Sequence, residues 1–407
     1  MDIWIKNAKL RSEKNLQNIG IKDGKIAKIS ENVSDLQAKI LIDAKGNLVT
    51  ESYCNPHLHL CKVWTLAMQD EAALSDYHGA DMGKAMTAIE SAARVKSQYK
   101  QDWIVENATK AAKLAAKYGN LHIRAFADVD PKARLEGVKA LLEVRDKFKG
   151  IVNIEVVAFP QDGVIRDPGA EELVEEAVKL GADVVGGIPW IEYTNEDELA
   201  HINKMMDIAQ KYNKKVSMLV DDAGDPTLKT LEMLATQTIK RKMQGKVLAQ
   251  HARAMQLYPQ PYFQKLAALL KIADIAVVSD PQTGPLHARV EELLAAGNTV
   301  CLGQDDISDA YYPYGRNNML EVAFLASHLL WMTSAAKIEK LYDMITLLGA
   351  KAMGIESYAL AEGNDAALVV LHDDNVLDAL RNHSAPRYVI SSGKVIAESY
   401  ETTEYHV

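Results

Sequence analysis

His57 and His59 lie one residue apart in the stretch ESYCNPHLHLCKVW, residues 51–64, behind an apolar lead-in and a proline. In a strand, residues two apart project from the same face, so the two imidazoles would stand side by side and could chelate a metal. An isolated pair of this kind is more often structural, each ring hydrogen-bonded near a strand end. Further residues add weight: His251 in VLAQHARAM, and Asp305 with Asp306 in CLGQDD. Three imidazoles and a carboxylate suit one Zn²⁺, Fe²⁺ or Mn²⁺ with a position left open for water. A metal held in that way lowers the pKa of its water toward about 7 and makes hydroxide available at neutral pH. Each residue also has a bland role open to it, since Asp pairs cap helices and a lone His at a strand end is commonly just hydrogen-bonded.

The elements that must position these groups are legible as alternating segments. From residue 51 onward, eight β-rich runs (YCNPHLHL, LHIRAFADV, IVNIEVVAFP, ADVVGGIP, KVSMLVDD, KVLAQH, DIAVVSDP and TVCLGQDD) are separated by stretches such as EGVKALLEVRDKF and AEELVEEAVKLGA. The separating stretches carry apolar residues at helical spacing. Eight strand–helix units predict a closed parallel (β/α)8 barrel over residues 51–352, with its site at the C-terminal ends of the strands. The two histidines, FPQD, VDD, His251 and QDD all fall at such ends. The connection at 61–100 exceeds a usual loop and is expected to fold over the barrel mouth. Residues 1–50 and 353–407 are instead rich in short strands punctuated by Gly, Asp and Asn, and IKDGKIAKI and ISSGKVIAE both read as hairpins. One small β-sandwich assembled from both termini is expected.

Composition narrows the partners. Apolar and charged fractions of 48% and 25% over 407 residues are those of a globular protein. No apolar run reaches the roughly 18–20 residues needed to span a bilayer, so no membrane partner is expected. A formal charge of −9 without a basic cluster argues against nucleic acid. The N-terminus lacks the plan of a secretory signal, and three unevenly spaced cysteines form no disulfide framework, so a cytoplasmic location is expected. A small-molecule substrate and a homo-oligomeric state are the remaining expectations.

The order NPHLHL, VVAFPQDG, GADVVGGIPWIEYT, DDAGDP, QHARAM, GQDDISDAYYPYGRNNML and RYVISSGKVIA resembles bacterial cytosine deaminases of the amidohydrolase superfamily, and more distantly N-isopropylammelide amidohydrolases. The match covers nearly the whole chain and implies a distorted barrel plus a β-sandwich. It also implies roles: His57, His59 and Asp305 as metal ligands, His251 as the histidine beside the attacking water, and Gln161, Asp306 and Tyr311 as pocket residues. Tyr311 stands where the family commonly has Trp. Where the family reads His-Cys-Asp-Glu, this chain reads Leu219-Val220-Asp221-Asp222, so a ligand histidine has become Leu219 and the proton-shuttling glutamate has become Asp222. Cys61 replaces an aspartate.

Two functions compete. The first is a metal-dependent hydrolase of a small, cytosine-like nitrogen heterocycle, with Asp222, His251 and Asp305 catalytic and His251, Asp222 or Cys61 available as a further donor. The second is a catalytically weakened or repurposed member that binds a heterocycle with little or no metal, which Leu219 favours. No H-x-E with P-C-x-x-C, G-x-S-x-G, H-E-x-x-H or phosphate-cradling glycine loop occurs.

Overall fold

The computed structural model describes residues 1–11, 13–33, 36–68 and 85–406. Eight strands, numbered β1–β8, form one parallel sheet in sequential order. They are β1 Tyr53–Leu58, β2 Asn120–Asp128, β3 Asn153–Phe159, β4 Val184–Gly187, β5 Lys215–Val220, β6 Val247–His251, β7 Ala276–Ser279 and β8 Val300–Leu302. Strands covered on both faces read as continuous apolar runs rather than alternating ones, and β4 to β8 are buried almost throughout for that reason. A parallel bridge between Leu58 and Asp305 closes the ring. The expected (β/α)8 barrel is therefore present.

The helices between strands bury one stripe each. In Ala170–Leu180, Ala170, Val174, Ala177 and Val178 face inward at helical spacing, with Glu171 and Glu172 in the first turn and Lys179 in the last. That charge order suits the helix dipole. Gly181, at φ 120, ends the helix in a conformation that side chains avoid. Burying each of the two valines stabilises by about 1.5–3 kcal/mol, so a charged substitution at Val174 would detach this helix from the barrel.

Two four-stranded sheets come from the chain ends. One contains Ile3–Ala8, Gln17–Lys22, Lys25–Ser30 and Ile40–Asp43; the other contains Val49–Glu51, Leu368–Val370, Tyr388–Ser391 and Lys394–Glu398. Ile3, Ile5, Ile19, Ile21, Val49, Leu368, Val370 and Ile390 share a core between them. The two hairpins read from sequence turn through Asp23-Gly24 (φ 51 and 77) and Ser392-Gly393 (φ 48 and 73), the left-handed pairs a tight hairpin requires.

In the long connection at 61–100, residues 69–84 lie outside the described residues, but the helix Ala85–Lys96 places Ile89 on the wall of the cleft at the barrel mouth. Among the described residues, no helix is long and apolar enough to cross a membrane.

Candidate active site

Barrel closure and the site coincide. The His59 N–H donates to the Asp305 carbonyl at 2.8 Å, and the Asp305 N–H donates to the His57 carbonyl at 2.9 Å. Backbone pairing thus sets the first and last strands side by side at the residues that matter. Asp305 and His251 both sit at φ 66, where a side chain costs of order 1–3 kcal/mol, and surrounding contacts must hold them there. Gly303 permits the approach, because a Cβ there would stand 2.8 Å from the Cβ of His57 and 2.2 Å from Asp280 Oδ1.

Three atoms converge. His57 Nε2 lies 3.3 Å from His59 Nε2 and 3.0 Å from Asp305 Oδ1, and His59 Nε2 lies 3.6 Å from the same oxygen. Ligands about 2.1 Å from one tetrahedral ion would stand about 3.4 Å apart, so the spacing fits. The protonation pattern fits as well. Gln250 donates through Nε2 to Ser217 Oγ (2.7 Å) and Pro56 O (3.4 Å), which turns its Oε1 toward His57 Nδ1 at 2.8 Å. An amide oxygen only accepts, so Nδ1 carries a proton and Nε2 is the ring atom turned toward His59 and Asp305. Two imidazole nitrogens and a carboxylate that converge in this way form a donor set, and the residues present fit one divalent ion. His251 belongs to the same cluster, within 4.8 Å of the His57 and Asp305 donor atoms.

The opposite side of the cleft differs. Leu219, 3% exposed, packs against Phe126, Phe159, Ile188 and Trp190 and lines the cleft where the family resemblance implies a histidine. Asp222 Oδ2 stands 3.9 Å from His251 Nε2, and its Oδ1 pairs with Arg253 at 3.2 Å. Arg253 also reaches Asp305 Oδ2 at 3.5 Å and Thr283 Oγ1. His251 Nδ1 rests 3.2 Å from Asp280 Oδ2.

These surroundings set the charges. Burial pushes the Asp222 carboxyl above its usual range, against the pull of Arg253 and His251. Burial would lower His251, yet Asp222 and Asp305 outweigh it and raise the ring overall. Burial opposes ionisation of Asp305 too, but His251 and His57 hold it well below the carboxylate range. Asp306 is driven well upward by burial, then by Asp305 and Asp309.

Gln161, Asp306 and Tyr311 line the same cleft, beside Trp190 and Ile188. All the candidate residues thus gather in one place. Cys61 is engaged behind the first strand: its Sγ accepts the Asp128 N–H at 3.3 Å and lies 3.7 Å from Tyr99 OH, and burial pushes its thiol up to about 12. Asp221 is structural, accepting from Thr230 N–H and Oγ (both 2.7 Å) and Tyr258 OH (2.6 Å). Sequence reasoning missed Lys62, Gln250, Arg253 and Asp280. Each is a polar residue at or just past a strand end, the signal that flagged the others.

The amidohydrolase family model matches residues 41–397. N-isopropylammelide isopropyl amidohydrolase of Pseudomonas sp. (strain ADP) is 27% identical over 98% of this chain and 97% of its own length. Pterin deaminase of Rhizobium rhizogenes (strain K84 / ATCC BAA-868) is 24% identical over 88% of this chain and 82% of its own. A crystal structure of 5-methylcytosine deaminase from Klebsiella pneumoniae, liganded with 5-fluorocytosine, superposes with a TM-score of 0.90 at 30% identity, covering 99% of each chain. With a match of this extent, and a barrel that carries its polar cluster at the strand ends, the chain belongs to the amidohydrolase family.

Proposed function

We propose that this amidohydrolase is a metal-dependent deaminase that breaks an exocyclic C–N bond of a small, cytosine-like nitrogen heterocycle. The observation that carries the proposal is the convergence of His57 Nε2, His59 Nε2 and Asp305 Oδ1, with His57 Nε2 turned inward by the contact of Nδ1 with Gln250. These three would hold one divalent ion (Zn²⁺, Fe²⁺ or Mn²⁺), with His251 as the nearest further donor. When bound, such an ion supplies Lewis acidity and a water acidic enough to react at neutral pH. His251 orients the attacking water and, with Asp305, takes up its first proton. Asp222, held above the usual carboxylate range by burial, delivers two protons in turn, one to the ring nitrogen as the water oxygen adds to carbon and one to the departing amine as the C–N bond breaks, each resupplied from the attacking water by way of His251 and Asp305. Arg253 holds Asp222 and Asp305 in mutual register through its two ion pairs. Gln161, Asp306 and Tyr311 grip the ring. The deaminase and amidohydrolase names of the relatives at 24–30% identity support a C–N bond as the target.

The test is a screen of the metal-reconstituted protein for ammonia or amine release from pyrimidines, triazines, pterins and related lactams. Turnover that vanishes with a chelator and returns with metal supports the proposal. Leu219, packed into an apolar cluster, favours a second reading in which the cleft binds a heterocycle without efficient hydrolysis. Metal content separates the two: about one tightly held ion per chain supports the enzyme, and none after supplementation supports the binder.

A further inference from the structure

Gln161 is not free to choose which end of its amide it offers. Its Oε1 accepts from Lys62 Nζ at 2.6 Å. Lys62 is 3% exposed and is held from behind. Its Nζ lies 3.4 Å from Asp128 Oδ1, while Asp128 Oδ2 accepts from Tyr99 OH at 2.9 Å. The Lys62 N–H donates to the His59 carbonyl at 3.2 Å, so the lysine backbone is tied to the strand that carries the two histidines. The ring of Tyr311 sits beside the ammonium, its centroid 5.3 Å away.

An ammonium is donor-only, so turning the Gln161 amide over would set its NH₂ against Lys62 and leave two buried donors facing each other. Such an arrangement costs about 1–3 kcal/mol, enough to hold one orientation. The oxygen end is therefore turned toward Lys62 with one lone pair taken, and the amide nitrogen, which has no acceptor among the described residues, is the end left to face a ligand in the cleft.

We infer that Lys62 is a specificity-determining positioning residue: it locks Gln161 as a hydrogen-bond donor, so the ring edge read there carries an acceptor, an oxo group, rather than an N–H. The inference rests on the heterocycle reading of the cleft and adds to it which edge of the ring is selected. An unlocked glutamine accepts from a ring N–H as readily as it donates to a carbonyl, whereas this one discriminates between them.

Two measurements on the full-length protein reconstituted with Zn²⁺ test it. Uracil presents both C=O and N–H edges, and in a crystal structure of its complex a carbonyl oxygen should lie within hydrogen-bond reach of Gln161 Nε2. By calorimetry, uracil should bind about 10–100-fold more tightly than 2,4-diaminopyrimidine, in which amines replace both oxo groups, and the Lys62→Met variant should reduce that ratio to within about 3-fold. An N–H edge facing Gln161, or a ratio unchanged in Lys62→Met, overturns the inference alone. Failure of the parent to bind either ring overturns both the inference and the heterocycle reading beneath it. Should Lys62→Met fail to fold, the uracil complex of the parent still decides.

Discussion

The two walls of the cleft are built on different terms. On the β1–β8 wall, three donor atoms stand 3.0–3.6 Å apart, and the strands that carry them are pinned to each other by backbone hydrogen bonds at those residues. On the β5–β6 wall, an apolar side chain and a guanidinium fill the corresponding space, and among the described residues Asp222 is fixed by side-chain ion pairs. On the first wall the backbone pairing that closes the barrel brings the donor atoms themselves into register. On the second, Leu219 pairs through its backbone with Gln250, and its side chain adds packing but no donor. Chemistry in this protein is therefore anchored on one side and tuned on the other.

The largest effect should follow from damage to the anchored wall. His57→Gln keeps most of the volume but removes the ring nitrogen that Gln250 turns inward, and loss of a direct donor should exceed the 10–100-fold typical of supporting groups. Metal per chain after dialysis should fall to background, and turnover with it. Retention of a full equivalent of metal would mean that the trio is not the site.

Next comes Asp222→Asn, which keeps the size and removes the exchangeable proton. It should lower kcat by about 10²–10⁴-fold and leave metal content unchanged. Metal loss instead would show Asp222 acting as a ligand in place of the missing histidine, and the two walls would then be less different than their geometry suggests. Leu219→His addresses the same question from the other direction. An imidazole on β5 should tighten metal binding by at least about 10-fold, measured by competition with a chelator, because Leu219 already lines the cleft beside His59 and His251.

How much of this was legible in the sequence follows the same division. All eight barrel strands were readable, because runs such as VLAQH and TVCLGQDD are apolar up to a polar end, and the anchored trio was readable from its strand-end placement. The tuned parts were not. Lys62, directly after HLHLC, looks like a cation turning to solvent; its burial depends on Asp128, which β2 brings alongside. Arg253 likewise looks ordinary until Asp222 and Asp305 are seen converging on it from β5 and β8. Asp221 and Asp222 are adjacent in sequence and read alike, yet one ties down the helix Thr230–Lys240 and the other enters the cleft, a separation that only strand geometry makes. Cross-strand charge pairing has no local signature, whereas apolar periodicity does.

The smallest expected effect reads the tuned wall from behind. Glu198, on the helix Asn195–Lys211, is 6% exposed, and its carboxyl is pushed up to about 7 by burial, then by Asp221, Glu192 and Asp225. A folded-state pKa above the usual 4.5 means that the native protein holds the proton more tightly than the unfolded chain does. The associated stability is fully present below about pH 4.5 and is lost as pH rises through about 7. The loss should amount to about 1–3 kcal/mol, since a tenfold difference in proton affinity between the two states corresponds to about 1.4 kcal/mol and relaxation on ionisation recovers part of it. Glu198→Gln stays neutral throughout and should remove that slope. Its melting temperature should change less between pH 5 and pH 8 than that of the parent, by about 2–5 °C, with both measured at fixed metal and ionic strength. Because Asp221 is the charge that acts most strongly on Glu198, Asp221→Asn should flatten part of the same slope, whereas His57→Gln on the anchored wall should leave it unchanged when all the proteins are compared metal-free. Equal slopes in all four proteins would show that the acidic cluster behind β5 is relaxed by solvent, and that the tuned wall carries no stored charge repulsion.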